Sequence, residues 1–187
     1  MFILCDRFRL VSPFGKDTIR RFSNNASQMK SLAATNLEDL LQCALPVLEG
    51  LLPTPHGETI QDLVFVMGCW HAYAKLRLHT ELTLASFEHV TKDLGILLHH
   101  FAIVMCEAFK TIELPKERLA CLWRTTTNPS AQANPGGGPK AKSFNLKTYK
   151  LHALGEYPWT IRECGTTDNY TSAWVRKQSN HPTTTPT

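Results

Sequence analysis

Residues 150–174, KLHALGEYPWTIRECGTTDNYTSAW, bring His152, Cys164, Asp168 and five Thr or Ser hydroxyls into one short stretch. Nucleophilic catalysis needs a thiol or hydroxyl within hydrogen-bond reach of a base, and the base held by a third group. Here eleven residues, including Gly155 and Pro158, separate His152 from Cys164, and no strand-turn-helix nucleophile elbow surrounds either. The spacing specifies no catalytic geometry. GTTDNYT reads as a glycine-started turn in which Thr167 or Asp168 caps a following helix.

Metal chemistry is the next candidate, because His71, His79, His89, His99, His100, Cys69 and Cys106 fall in the centre of the chain. On a helix, zinc ligands converge at spacings of three or four residues. Cys69 and His71 diverge by about 200°, and His99 and Cys106 share a face but lie two turns apart. Neither HxxxH nor CxxC occurs. These side chains read as core-edge histidines and buried thiols. The acids Asp62, Glu81, Glu88, Asp93 and Glu107 fall on the solvated faces of expected helices rather than on strand ends, where two-metal sites gather. NPGGGPK lacks the GxxxxGK[ST] register of a phosphate loop. No catalytic or metal residue, cofactor or small-molecule ligand is assigned, and the chain is expected not to be an enzyme.

Charge points elsewhere. Residues 1–139 hold 13 basic and 13 acidic side chains, and residues 140–187 hold 7 and 3, so the whole net charge of +4 lies in the last quarter. In KAKSFNLKTYK, Lys140, Lys142, Lys147 and Lys150 interleave with Phe144 and Tyr149, and Arg162, Arg176 and Lys177 follow. These seven cations are the candidate nucleic-acid-binding set, each lysine adding a salt-dependent, sequence-independent phosphate contact. The competing reading is a solvated helix face beside a linker.

The elements that must carry these residues are helical. A hydrophobic fraction of 43% and a charged fraction of 19% describe a globular chain with one ordinary core. Six cysteines without CxxC spacing, no basic region ahead of the apolar start, and no apolar run of about 18 residues suggest a reduced, intracellular setting without a membrane partner. The periodicity predicts a helix over 17–34 capped by Asp17. A second is expected from a Thr35–Glu38 capping box, bent or split near Gln42 by Pro46. Ile60, Leu63, Met67, Trp70 or His71, and Ala74 mark a third. After a break near Thr80, Phe87, Val90, Leu94, Leu97, Phe101, Val104 and Ala108 form a heptad-like seam, so the two long helices should pair antiparallel. A short helix is expected after Pro115, another through Leu154, a turn at Gly155 and a further segment after Pro158. The reading is a mainly α, irregular helical bundle with a central antiparallel helix pair. It divides into an unrelated or disordered start (1–14), the bundle (15–124), a Pro/Gly-rich flexible linker (125–143), a small basic helical segment (144–174) and a disordered tail (175–187), with no convincing strands.

Four stretches in order, GKDTIRRFSNNASQMKSLAATNLEDLLQCALPVLEGLLP, DLVFVMGCWHAYAKLRLHTELTL, ELPKE and KTYKLHALGEYPWTIRECGTTDNYTS, resemble successive blocks near the C-terminal end of the Plavaka-type, CACTA-like DNA transposases of mushroom-forming fungi. The resemblance spans roughly Phe14 to Ser172. It implies a longer parent protein with a ribonuclease H-like catalytic core, none of whose metal-binding acids matches a residue here. Where family members continue from the last block into a Glu-, His- and Arg-rich helix, this chain reads SAWVRKQSNHPTTTPT, and Pro158 and Trp159 depart from the block itself. The resemblance therefore implies a non-catalytic, truncated transposase remnant, formerly a helical accessory region, with DNA and the transposase core or full-length homologues as partners and the nucleus as its compartment. A stand-alone nucleic-acid-binding module using residues 140–177 and a helical protein-interaction module are the alternatives.

Overall fold

The computed structural model describes residues 2–15, 19, 21–22, 33–127 and 139–167. Its described elements are α1 (Phe2–Leu10), α2 (Ala34–Leu48), α3 (His56–Ala74), α4 (Glu81–Ala108), β1 (Thr111–Ile112), α5 (Pro115–Thr127), β2 (Ala141–Lys142), α6 (Tyr149–Leu154) and α7 (Tyr157–Cys164). The fold is a mainly helical bundle, as the periodicity predicts.

The α3–α4 pair is its centre. Thr80 accepts from the Thr83 amide at 3.2 Å while the Thr83 hydroxyl accepts from the Thr80 amide at 2.8 Å, a reciprocal cap that starts α4 at the expected break. The helices then run back along one another. Tyr73 stacks on Phe87, Trp70 reaches Thr91, and His56 at the start of α3 meets Phe109 just beyond the end of α4. Leu63, Trp70 and Ala74 of α3 and Leu84, Phe87 and Leu94 of α4 are buried together, with Val90, Leu97 and Phe101 at the margin. Each such large side chain contributes about 1.5–3 kcal/mol on burial. The last residue of the expected seam, Ala108, is exposed. The Trp70 indole N–H donates to the Thr91 hydroxyl at 3.1 Å, so burying the ring strands no polar atom.

Helix α7 closes this cluster from the third side. Ile161 is buried in it, and the Tyr157 ring meets Trp70 edge-on at 4.9 Å. Pro158 sits in the first turn of α7, where no intrahelical amide bond is lost. Helix α2 lies against α3 and is tied to its end by Lys75 and Glu38 at 2.9 Å.

Several expectations are corrected. The start of the chain is not disordered: α1 buries Cys5 and Phe8, with Phe8 packing on Leu40, Cys43 and Val47, and the Arg7 guanidinium donates to the Val47 and Glu49 carbonyls at the end of α2. A nine-residue helix is marginal alone, and tertiary packing supplies what propensity lacks. Of the helix expected over 17–34, most residues lie outside the described ones. Ile19 forms an antiparallel bridge with Phe14, and Phe22 meets the Phe8 ring at 5.2 Å. Thr35 is not a cap, since α2 begins at Ala34 with Ala33 in the cap position and no side-chain bond. Pro46 does not split α2, which continues to Leu48, because a proline so close to the end removes one amide bond and is followed by only two further helical residues. The linker is shorter than expected at both ends. Thr125–Thr127 belong to α5, and Ala141–Lys142 pair with Thr111–Ile112 in an antiparallel ladder, a strand pair the sequence does not announce. Residues 128–138 and the tail lie outside the described residues.

Candidate nucleic-acid interface

The ladder anchors the lysine-rich stretch. The Glu113 amide donates to the Lys140 carbonyl at 2.9 Å, and the Thr111 hydroxyl donates to the Lys142 carbonyl at 2.7 Å. Beyond it, Phe144 meets the Phe101 ring of α4 edge-on at 5.3 Å, so one side of the loop rests on the bundle. The Lys147 amide donates to the Asn145 carboxamide at 2.9 Å, a local turn that leads into α6. Together these bonds fix the backbone of a segment that sequence reading leaves half in a linker.

Lys140, Lys142, Lys147 and Lys150 are all exposed, and among the described residues none of them forms an ion pair. Residues 139–155 contain no Asp or Glu. Tyr149 is 78% exposed and Phe144 40% exposed, so aromatic surface lies among the ammonium groups. Residues 141–147 line an open concavity of about 600 Å³.

Arg162 is placed differently from the lysines with which its charge groups it. Its guanidinium contacts Glu88 at 3.1 Å and Glu81 at 3.4 Å, bracing α7 against α4. The hydrogen bond to Glu88, reinforced by both carboxylates against partial desolvation, raises the Arg162 pKa further. Arg162 is thus engaged within the protein. Arg176 and Lys177 lie outside the described residues.

The stretch that reads as a patch of reactive side chains has a structural role. Gly165 ends α7 with φ +83° and ψ −169°, an extended positive-φ conformation that glycine adopts without a Cβ clash. The residues of the helix that Thr167 is expected to cap lie outside the described ones. The buried Thr167 hydroxyl donates to the Ala74 carbonyl at 2.8 Å, satisfying an orphan acceptor at the end of α3. Cys164 and His152 are both exposed, on α7 and α6 respectively, and Asp168 lies outside the described residues.

Of the candidate metal ligands, His71 faces Glu38 at 3.9 Å and His89 faces Asp93 at 3.4 Å. His79 stacks on Phe87. Among the described residues no group of three or more His, Cys, Asp or Glu side chains gathers where it could hold a metal ion. Glu81 and Glu88 of the acid set are taken up by Arg162, and Asp62 and Glu107 are exposed. In α2, burial and then the nearby Asp39 carboxylate push the Cys43 thiol above its ordinary pKa. Among the described residues no helix is long and apolar enough to cross a membrane.

Comparison of the chain with protein-family models, with curated proteins and with solved structures finds no match. The geometry therefore carries the functional reading.

Proposed function

We propose that this chain is a non-catalytic helical accessory region of DNA-transposase descent, in which the lysine-rich stretch 139–155 lies against DNA. The observation that carries the DNA contact is the set of four exposed lysines in a segment whose own sequence holds no acid, the neighbouring Glu113 carboxylate being buried against the Lys140 amide, attached to a bundle whose remaining charge is balanced. Cations held in that state gain by displacing the counterions of a phosphate backbone. The descent rests on the blocks that resemble Plavaka-type transposases. Two of them, DLVFVMGCWHAYAKLRLHTELTL and KTYKLHALGEYPWTIRECGTTDNYTS, contribute Trp70, Leu84 and Ile161 to one cluster, which supports reading them as parts of one unit. Work on DNA implies a nuclear location.

The test is binding of the full chain to labelled DNA across a salt series, beside a strand-transfer assay with magnesium or manganese. Salt-sensitive binding without strand transfer is expected. Affinity indifferent to salt sinks the DNA contact, and measurable strand transfer by this chain alone sinks the non-catalytic reading.

A second reading, a helical protein-interaction module, is favoured by the outer face of α4, where Leu82, Ile96 and Ile103 are exposed at spacings of fourteen and seven residues, with His89 at the position between the first two. Its partner would be the core of a full-length transposase. A chain that stays monomeric and fails to co-purify with such a protein counts against it.

A further inference from the structure

We infer that residues 139–150 prefer single-stranded DNA over duplex, with Tyr149 and Phe144 stacking on unpaired bases while the lysines follow the phosphates. The inference rests on the lysine reading above and names the form of DNA that the same surface takes.

Lysines alone do not distinguish the two forms, since either presents a phosphate chain. The aromatic side chains do. In a duplex the base faces are already stacked on one another, and an aromatic ring on the protein surface meets only sugar and phosphate. An unpaired base offers a free face, and stacking on it is tolerant of sequence because every base has one. Tyr149 lies between Lys147 and Lys150 in the chain and is 78% exposed, so its ring is open to solvent. Phe144 lies between Lys142 and Lys147, and its edge-on contact with Phe101 at 5.3 Å holds it in place while leaving 40% of it open. The order Lys, Phe, Lys, Tyr, Lys thus alternates phosphate and base contacts along one exposed segment.

Shape agrees. The concavity lined by residues 141–147 is open to solvent, with a volume of about 600 Å³. It is an open hollow of the surface loop, which Phe144 helps to line. Reading a duplex through its major groove calls for a helix or a two-stranded ribbon that enters the groove. Helix α6 has six residues, about 9 Å of rise, and the β1–β2 ladder has two residues a side. Neither provides that.

The test is fluorescence anisotropy of the full chain with a labelled oligo-dT of about 15 nucleotides and with a blunt hairpin duplex, over roughly 50–200 mM salt. Oligo-dT should bind more tightly than the duplex. Its log affinity should fall with log salt at a slope of about −3 for four lysines, and Lys147→Gln should reduce that slope by about 0.7. Tyr149→Ala should weaken oligo-dT binding by about 5- to 100-fold and leave duplex binding unchanged, while Tyr149→Phe retains the wild-type affinity. Circular dichroism confirms that each variant is folded. Duplex binding as tight as oligo-dT binding, or a Tyr149→Ala variant that binds oligo-dT normally, overturns the strand preference and leaves the lysine reading standing. Failure of both probes to bind at the lowest salt overturns both.

Discussion

The cations of two C-terminal segments, the four lysines of residues 139–150 and Arg162 of residues 157–167, meet opposite fates. In the second segment, Arg162 is braced by Glu81 and Glu88, Ile161 is buried in the main cluster, and the Thr167 hydroxyl closes the end of α3. In the first segment, four lysines and Tyr149 point to solvent from a backbone that is itself held by Thr111, Glu113 and Asn145. A cation close to carboxylates on a neighbouring helix becomes a brace. Cations on a segment without acids remain available to an external anion. The presence of a cation alone does not separate the two.

Substitutions can break this contrast. The largest effect is expected at Phe87, fully buried and in ring contact with Trp70, Tyr73 and His79: Phe87→Ala should cost about 3–5 kcal/mol in chemical denaturation and loosen α7 together with the hairpin. Preserved stability there would mean that the cluster is not the core. Thr167→Val keeps the volume but leaves the Ala74 carbonyl without its donor, and should cost about 1–2 kcal/mol by the same measurement. A variant as stable as the parent would mean that residues 165–167 do not seal α3.

The smaller effects sharpen the contrast. Cys43 holds its proton in the folded state at a pH where the unfolded chain has lost it, so its contribution to stability is complete below about pH 9 and declines as the pH rises further. Denaturation at pH 8 and pH 10 should show that decline for the parent and a smaller one for Cys43→Ala. Loss of a single charge from the exposed lysines, as in Lys147→Gln or Lys150→Gln, should leave stability within about 0.5 kcal/mol, because neither ammonium has a partner to lose among the described residues. A melting curve shifted by several degrees for either lysine variant would place that side chain among the braces with Arg162.

The long hairpin was legible in the sequence because it satisfies every local requirement at once. Apolar positions recur at steps of three and four over two long segments, Thr80 stands where the pattern breaks, and a short connection leaves antiparallel pairing as the simple solution. Helix α1 carried too little pattern, since nine residues with polar neighbours fold only against α2. The β1–β2 ladder was illegible for a different reason. Two residues have no period, and its partners are separated by about 30 positions along the chain. The lysines of the interface could be named from the sequence, and so could the aromatic rings between them. Their exposure could not, nor the diversion of Arg162 to α4.

The sequence by itself determined the mainly helical class, the central pair, the balance of charge over residues 1–139 and the excess after them, because periodicity and composition are local properties. Only the tertiary structure decided which cations are used inside the protein and which face outward. Ion pairs such as Arg162 with Glu81, and hydrogen bonds such as Thr167 with Ala74, join residues 81 and 93 positions apart, and they form only where packed helices bring those side chains together.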